Sequence, residues 1–115
     1  MDDSRVMRQL VTRTLRQAGF TGHQFIEAGD GVEGLTAIAS HAPDLVLADW
    51  DLPELNGIDM LTALRGRGDD IPFGFVTSNS SPEVMSQAEA AGALCVLRKP
   101  VTAERLRERL EAVLG

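Results

Sequence analysis

Residues 44–57 read DLVLADWDLPELNG, and the fold turns on the first half of that stretch. Leu45, Val46, Leu47 and Ala48 form an apolar run with no polar alternation, the pattern of a strand covered on both faces in a parallel sheet. Asp49 ends the run. Pro53 and Gly57 shape the loop that follows, and Ile58, Met60, Leu61 and Leu64 belong to the next helix. A strand followed at once by a loop and a helix is half of a βαβ unit, so the flanking sequence must supply the rest.

Downstream it does so twice. Phe73 to Thr77 reads as a strand, and Ser81-Pro82-Glu83 opens a helix with a capping serine, a proline in the first turn and an acid near the positive end of the helix dipole. Gly92 stops that helix. Leu94 to Leu97 reads as another buried strand, and Thr102 caps a last helix whose Leu106, Leu110, Val113 and Leu114 form one apolar stripe. Upstream, Ser4 caps an amphipathic helix in which Val6, Met7, Leu10, Val11, Leu15 and Ala18 recur at three- and four-residue spacing, with Gly19 as its stop. A β-like stretch from Gln24 to Ala28 follows, and Asp30 caps a helix carrying Val32, Leu35, Ile38 and Ala39. Strands alternating with helices at this spacing predict right-handed crossovers and an open parallel sheet with helices on both faces.

The composition sets the outer limits. At 115 residues the chain has room for one domain and one core, which predicts a single domain over 1–115 with no output domain. Hydrophobic residues make up 43% and charged residues 24%, the balance of a globular chain. No apolar run approaches the roughly 20 residues of a spanning helix, and no basic-apolar leader opens the sequence, so a cytoplasmic location is expected. A net charge of −6 argues against direct nucleic-acid binding. Cys95, the one cysteine, lies in the apolar LCVL run and reads as a buried structural thiol.

In an open α/β sheet the ligand site lies past the carboxyl ends of the strands. The residues where the apolar runs stop form a coherent set: Asp49, Thr77 and Lys99, with Asp2 and Asp3 immediately before the first helix. Clustered acids repel unless a positive charge sits among them, and a hard divalent cation such as Mg²⁺ suits an oxygen-rich group of this kind. Mg²⁺ keeps coordination positions for water and phosphate oxygens, which suggests phosphoryl chemistry with an aspartate nucleophile. Lys99 stands out because it is the only lysine beside ten arginines. A solvated basic position is free to be arginine here, whereas a compact point charge against a phosphoryl oxygen is not.

With those residues in view, the chain resembles a response regulator receiver domain, and in particular the single-domain, CheY-like chemotaxis receivers. The motifs that carry the resemblance are DDSRVMRQLV from Asp2, DLVLADWDLPELNG around Asp49, the strand ending VTS at Thr77, and AGALCVLRKP ending at Lys99-Pro100. The resemblance implies a flavodoxin-like, doubly wound sheet of order 2-1-3-4-5. It also implies that Asp49 accepts a phosphoryl group from a histidine kinase with Mg²⁺, and that the modified domain then binds a downstream effector protein. Asp2, Asp3 and Asp49 match the metal-binding acids, and Asp51 the position whose backbone carbonyl is a metal ligand. Thr77 and Lys99 match the phosphate-sensing hydroxyl and the phosphate-binding lysine, with Pro100 at the position of a cis proline. Met85, Val96 and Arg105 fall on the docking face of relatives. Such a module is a switch that catalyses only its own phosphotransfer and dephosphorylation, not an enzyme acting on other molecules.

Two features depart from the pattern. Val96 stands where relatives carry an aromatic switch residue, so switching falls mainly to Thr77 and the loop after it. Only Met1 precedes Asp2, where a hydrophobic first strand is expected, so that strand is missing or truncated in this chain. A 2-1-3-4-5 sheet without it leaves two unpaired edges facing across a gap: if the 115 residues are the complete molecule, pairing with another chain and a homodimer through strand exchange are expected, and if a few more apolar residues lie upstream, a monomer with an ordinary five-stranded sheet. Two other functions compete. Asp49-Trp50-Asp51 also fits the D-x-D of an aspartyl-phosphate phosphatase of the haloacid-dehalogenase type, but that type needs an acidic metal-binding pair after the lysine, where only the scattered Glu104, Glu108 and Glu111 follow. A non-phosphorylated pseudo-receiver that only docks is the other.

Overall fold

The computed structural model describes residues 1–22, 24–78 and 81–114, with the side chain of Leu114 excepted. Asn79 and Ser80 of the loop after Thr77, and the Leu114 side chain of the last apolar stripe, therefore lie outside the described residues. The elements run α1 (Arg5–Gln17), α2 (Gly31–His41), β1 (Val46–Asp49), α3 (Gly57–Gly66), β2 (Phe73–Thr77), α4 (Pro82–Ala90), β3 (Cys95–Arg98) and α5 (Ala103–Leu114).

The caps follow the local chemistry that places them. Side-chain oxygens of Ser4, Asp30, Asn56 and Ser81 accept from the first-turn amides of Met7, Glu33, Asp59 and Val84 and so satisfy donors that a helix start leaves orphaned. Thr102 does the same for Arg105 at the start of α5. Gly19 and Gly92, at φ +104° and +90°, take the left-handed conformation that closes α1 and α4.

The sheet is parallel, with order β1-β2-β3 and helices on both faces. Although each strand reads as a plain apolar run, its side chains alternate between two cores. Val46, Ala48, Phe73 and Phe75 pack with α2, α3 and α4 through Ile38, Met60, Leu61, Leu64 and Ala88. Val76, Cys95 and Leu97 face the other way, onto Leu15 and Ala18 of α1 and Leu106 and Leu110 of α5.

One expected element does not form. Residues 24–28 take no strand structure, because a parallel strand needs a neighbour and only Met1 and Asp2 stand between this segment and β1. Those two residues make what ladder there is. The Asp2 amide donates to the Ala28 carbonyl at 3.2 Å and the Asp49 amide to the Met1 carbonyl at 2.8 Å. The Met1 ammonium donates to the Leu47 carbonyl. Beyond Met1 the space between 24–28 and β1 is a cavity of about 290 Å³ lined by residues from both sides, Phe25, Ile26, Leu45 and Leu47 among them. Met1 and Asp2 thus stand at the place the resemblance gives to a first strand, and among the described residues β1 lies at the edge of the regular sheet.

Leu110 is wholly buried between α5 and the sheet, whereas Val6 on α1 is 74% exposed. Leu110→Ala should cost about 2 to 5 kcal/mol by lost transfer and an unfilled cavity, and Val6→Ala no more than about 0.5 kcal/mol. Urea unfolding of both variants measures the contrast, and comparable losses at the two positions would show that the core is misplaced.

Candidate functional site

The carboxyl ends of the strands converge with the start of α1. Asp49 is the last residue of β1, Thr77 the last of β2, and Lys99 follows β3 directly. Their backbones are tied together: the Trp50 amide donates to the Val76 carbonyl at 3.1 Å, and the Lys99 amide to the Thr77 carbonyl at 2.8 Å. Since the Met1 carbonyl takes the Asp49 amide, the acids at positions 2 and 3 are carried to the same edge.

Gly57 lets α3 start close beneath Asp49. A Cβ there would lie 2.7 Å from the Phe75 ring and 2.8 Å from the Asp49 carbonyl oxygen, a distance no side chain tolerates. The Trp50 ring meets Phe75 edge-on at a centroid distance of 4.8 Å, which joins the residue after Asp49 to the α3 side of the core.

Among the described residues, carboxylate oxygens of Asp2, Asp3 and Asp49 lie within 4.8 Å of one another, with Asp2 and Asp49 buried and Asp3 exposed. The Lys99 ammonium stands among them, 2.9 Å from Asp49 Oδ2 and 3.1 Å from Asp2 Oδ2. Burial alone would lower the Lys99 pKa, but its hydrogen bonds and ion pairs with Asp49 and Asp2 outweigh that and raise it. Burial likewise pushes the Asp2 carboxyl up, yet the Ser4 amide and the Lys99 ammonium prevail and hold it below its ordinary value.

The remaining oxygens are also engaged. Asp49 Oδ1 accepts from the Asp51 amide at 3.1 Å, and Asp2 Oδ1 from the Ser4 amide at 2.9 Å. Asp51 lies in the turn after Asp49 with its side chain exposed. Thr77 is only 1% exposed, Val96 is half-buried against the α2–α3–α4 core, and the Lys99–Pro100 peptide is cis. Met85 is 40% exposed on α4, and Arg105 is exposed on α5.

Sequence reading missed two residues that hold the site. Met1 acts through its backbone, which no pattern of side chains reveals. Arg8 donates to the Asp2 carbonyl at 2.6 Å and to Glu27 at 2.9 Å, so its guanidinium clamps the acid segment to residues 24–28.

The family model described as response regulator receiver domain matches residues 1–111. Response regulator MprA of Mycobacterium tuberculosis is 38% identical over 114 residues, covering 99% of this chain and 48% of MprA. The chain therefore spans about half the length of that relative. Chemotaxis protein CheY1 of Helicobacter pylori is 35% identical over 118 residues, covering all of this chain and 94% of CheY1. Among solved structures, the receiver domain of the Francisella response regulator 1452 superposes with a TM-score of 0.87 at 26% identity, covering 98% of this chain and 91% of that one. Chemotaxis protein CheY4 of Vibrio cholerae superposes with a TM-score of 0.83 at 32% identity, covering 97% and 92%.

The displaced pKa values of Asp2 and Lys99 bound a pH window for their ion pair. Asp2, held below its ordinary 3.8, contributes stability that is present above that value and is lost as pH falls through its lower folded value. Lys99, raised above 10.5, contributes stability that is complete below that value and is lost as pH rises through its higher folded value. Thermal midpoints across pH should form a plateau with both shoulders. Asp2→Asn should flatten the acid shoulder and Lys99→Met the alkaline one, and shoulders unchanged in both variants would refute the ion pairs.

Proposed function

The chain belongs to the response regulator receiver domain family, and from that premise we propose that Asp49 accepts a phosphoryl group from a histidine kinase and that the modified domain binds a downstream effector protein. The observation that carries the reading is the Lys99 ammonium held between the carboxylates of Asp49 and Asp2 at the end of β1. An Asp49 carboxylate oxygen forms the acyl phosphate bond as the phosphorus–nitrogen bond to the kinase imidazole breaks, with its electron pair returning to nitrogen. Charge grows on the equatorial phosphoryl oxygens, and Lys99 is placed to meet it. Hydrolysis of the acyl phosphate by water restores the carboxylate, so the turnover is self-directed and the domain is a signalling switch, not an enzyme for other substrates.

The donor set fits Mg²⁺. Asp2, Asp3 and Asp49 offer hard oxygens at mutual reach, and the Asp51 backbone carbonyl is the fourth protein ligand of this reading. When bound, the ion neutralises charge on the acids and on the phosphoryl oxygens. Thr77 is the residue that senses the phosphoryl group, and with Val96 too small for an aromatic rotamer switch, the response travels through Thr77 and the chain leading into α4. The effector meets the face that includes Met85, Val96 and Arg105. The reading covers a receiver domain over 1–115, working in the cytoplasm without direct contact to nucleic acid or membrane; no helix among the described residues is long and apolar enough to cross a membrane. The family match leaves the phosphatase alternative without support, and the intact acid and lysine set disfavours a docking-only pseudo-receiver.

Treatment with acetyl phosphate and Mg²⁺ should modify wild-type protein at Asp49 alone, as read by mass spectrometry. Asp49→Asn should abolish the modification while keeping the fold, since the amide preserves shape and relieves acid repulsion. Phosphate on another side chain of folded wild-type protein would sink the assignment.

Trp50 is the only tryptophan and adjoins Asp49. Mg²⁺ titration should change its fluorescence, and a variant with both Asp2 and Asp3 changed to alanine should lose at least about tenfold in affinity, about 1.4 kcal/mol. An equal response in that variant would refute the role of the acid pair.

A further inference from the structure

We infer that Gly31, the first residue of α2, is a positioning residue for the metal site: its close approach to the Leu55 backbone fixes the loop that carries the Asp51 carbonyl. The inference rests on the reading of Asp2, Asp3, Asp49 and the Asp51 carbonyl as Mg²⁺ ligands. A Cβ at Gly31 would lie 1.8 Å from the Leu55 carbonyl oxygen, 2.7 Å from its carbonyl carbon and 2.8 Å from the Leu55 Cβ. These atoms belong to the main chain or are fixed to it, so no side-chain rotation relieves the clash. Gly31 is helical and is not one of the glycines with positive φ, so nothing in its own backbone calls for glycine. Alanine, the better helix former, is excluded there by the loop alone.

The loop has little room to absorb a push at Leu55. The Leu55 amide donates to the Pro53 carbonyl at 2.7 Å, which closes a three-residue turn with Glu54 at φ +65°. The Gly31 amide reaches the same carbonyl at 3.4 Å, so α2 and the loop meet main chain to main chain at both Pro53 and Leu55. On the carboxyl side of the turn, the Gly57 amide donates to the Trp50 carbonyl at 3.3 Å, and Gly57 has no spare space beside Phe75 and the Asp49 carbonyl. On the amino side, Leu52 is buried in the core that also holds Ile38 of α2, so neither the loop nor the helix can retreat freely. Between the anchored Asp49 and Leu52 stands Asp51, exposed and tied by its amide to Asp49 Oδ1 at 3.1 Å. Displacement of the loop therefore emerges at Asp51 and turns its carbonyl. Supporting contacts of this kind orient the ligands of a metal without touching it.

The test reads Mg²⁺ affinity from the midpoint of Trp50 fluorescence titrations, with the thermal midpoint measured beside it. Gly31→Ala should bind Mg²⁺ about tenfold or more weakly than wild type, the scale on which supporting contacts tune a metal site. Leu110→Ala weakens the core on the other face of the sheet, so its thermal midpoint should fall while its Mg²⁺ affinity stays that of wild type. That contrast separates positioning from loss of stability. In wild-type protein the amide resonances of Gly31 and Leu55 should shift during the titration with the midpoint that fluorescence gives, and this measurement decides if Gly31→Ala does not fold. Unchanged affinity in folded Gly31→Ala, an equal loss of affinity in Leu110→Ala, or resonances that do not move would each overturn the inference alone. Wild-type protein without any response to Mg²⁺ would overturn the metal reading and the inference together, so the two failures are told apart.

Discussion

Three carboxylates brought to one edge of a small sheet cannot stay there without a positive charge, and the Lys99 ammonium supplies it. An exposed ion pair contributes little, but Asp2 and Asp49 are buried, and a buried carboxylate without a partner would be far more costly than one in water. Lys99 suits the task because a compact ammonium reaches two carboxylates at once from a flexible stem, where the planar guanidinium of arginine favours one carboxylate bidentately. The same placement has a chemical consequence. A group already positioned against Asp49 Oδ2 need not reorganise much when charge appears on an added phosphoryl group.

The backbone around this charge is tied in a closed circuit. Met1 bonds to β1, Asp2 to Ala28, Trp50 to the end of β2 and Lys99 to Thr77, so each acid or base is fixed through the main chain of a neighbouring strand end. Arg8 adds a side-chain tie from α1 to the carbonyl of Asp2. Asp2 is held by its amide bond to Ala28, by the Ser4 amide and the Lys99 ammonium on its carboxylate, and by the Arg8 guanidinium on its carbonyl.

The three buried strands, their helices and most caps were legible because each depends on local features: an apolar run, a capping oxygen, a glycine after a helix. Asp49, Thr77 and Lys99 were legible for a related reason, since a residue that ends an apolar run in a parallel sheet must emerge at the ligand edge. Residues 24–28 were misread because their apolar content resembles a strand, while strand formation depends on a neighbour that a local window does not contain. Alternation between the two cores was hidden for the opposite reason. With helices on both faces every position is apolar, and only packing distinguishes Phe75, under α3, from Val76, under α5.

The link between the two halves of the site runs through the ends of β2 and β3. Lys99 donates its amide to the Thr77 carbonyl while its side chain holds Asp49 and Asp2, so a change in charge at Asp49 pulls on a residue whose main chain is fastened to Thr77. Thr77 is buried and leads toward α4, whose start is set by Ser81 and Pro82. Val96, half-buried in β3, has a branched side chain with few rotamers and packs against the α2–α3–α4 core, so the proposed reading gives it no aromatic swing between two positions. In the proposed reading, a signal that leaves Asp49 reaches the end of β2 through the Lys99–Thr77 backbone bond.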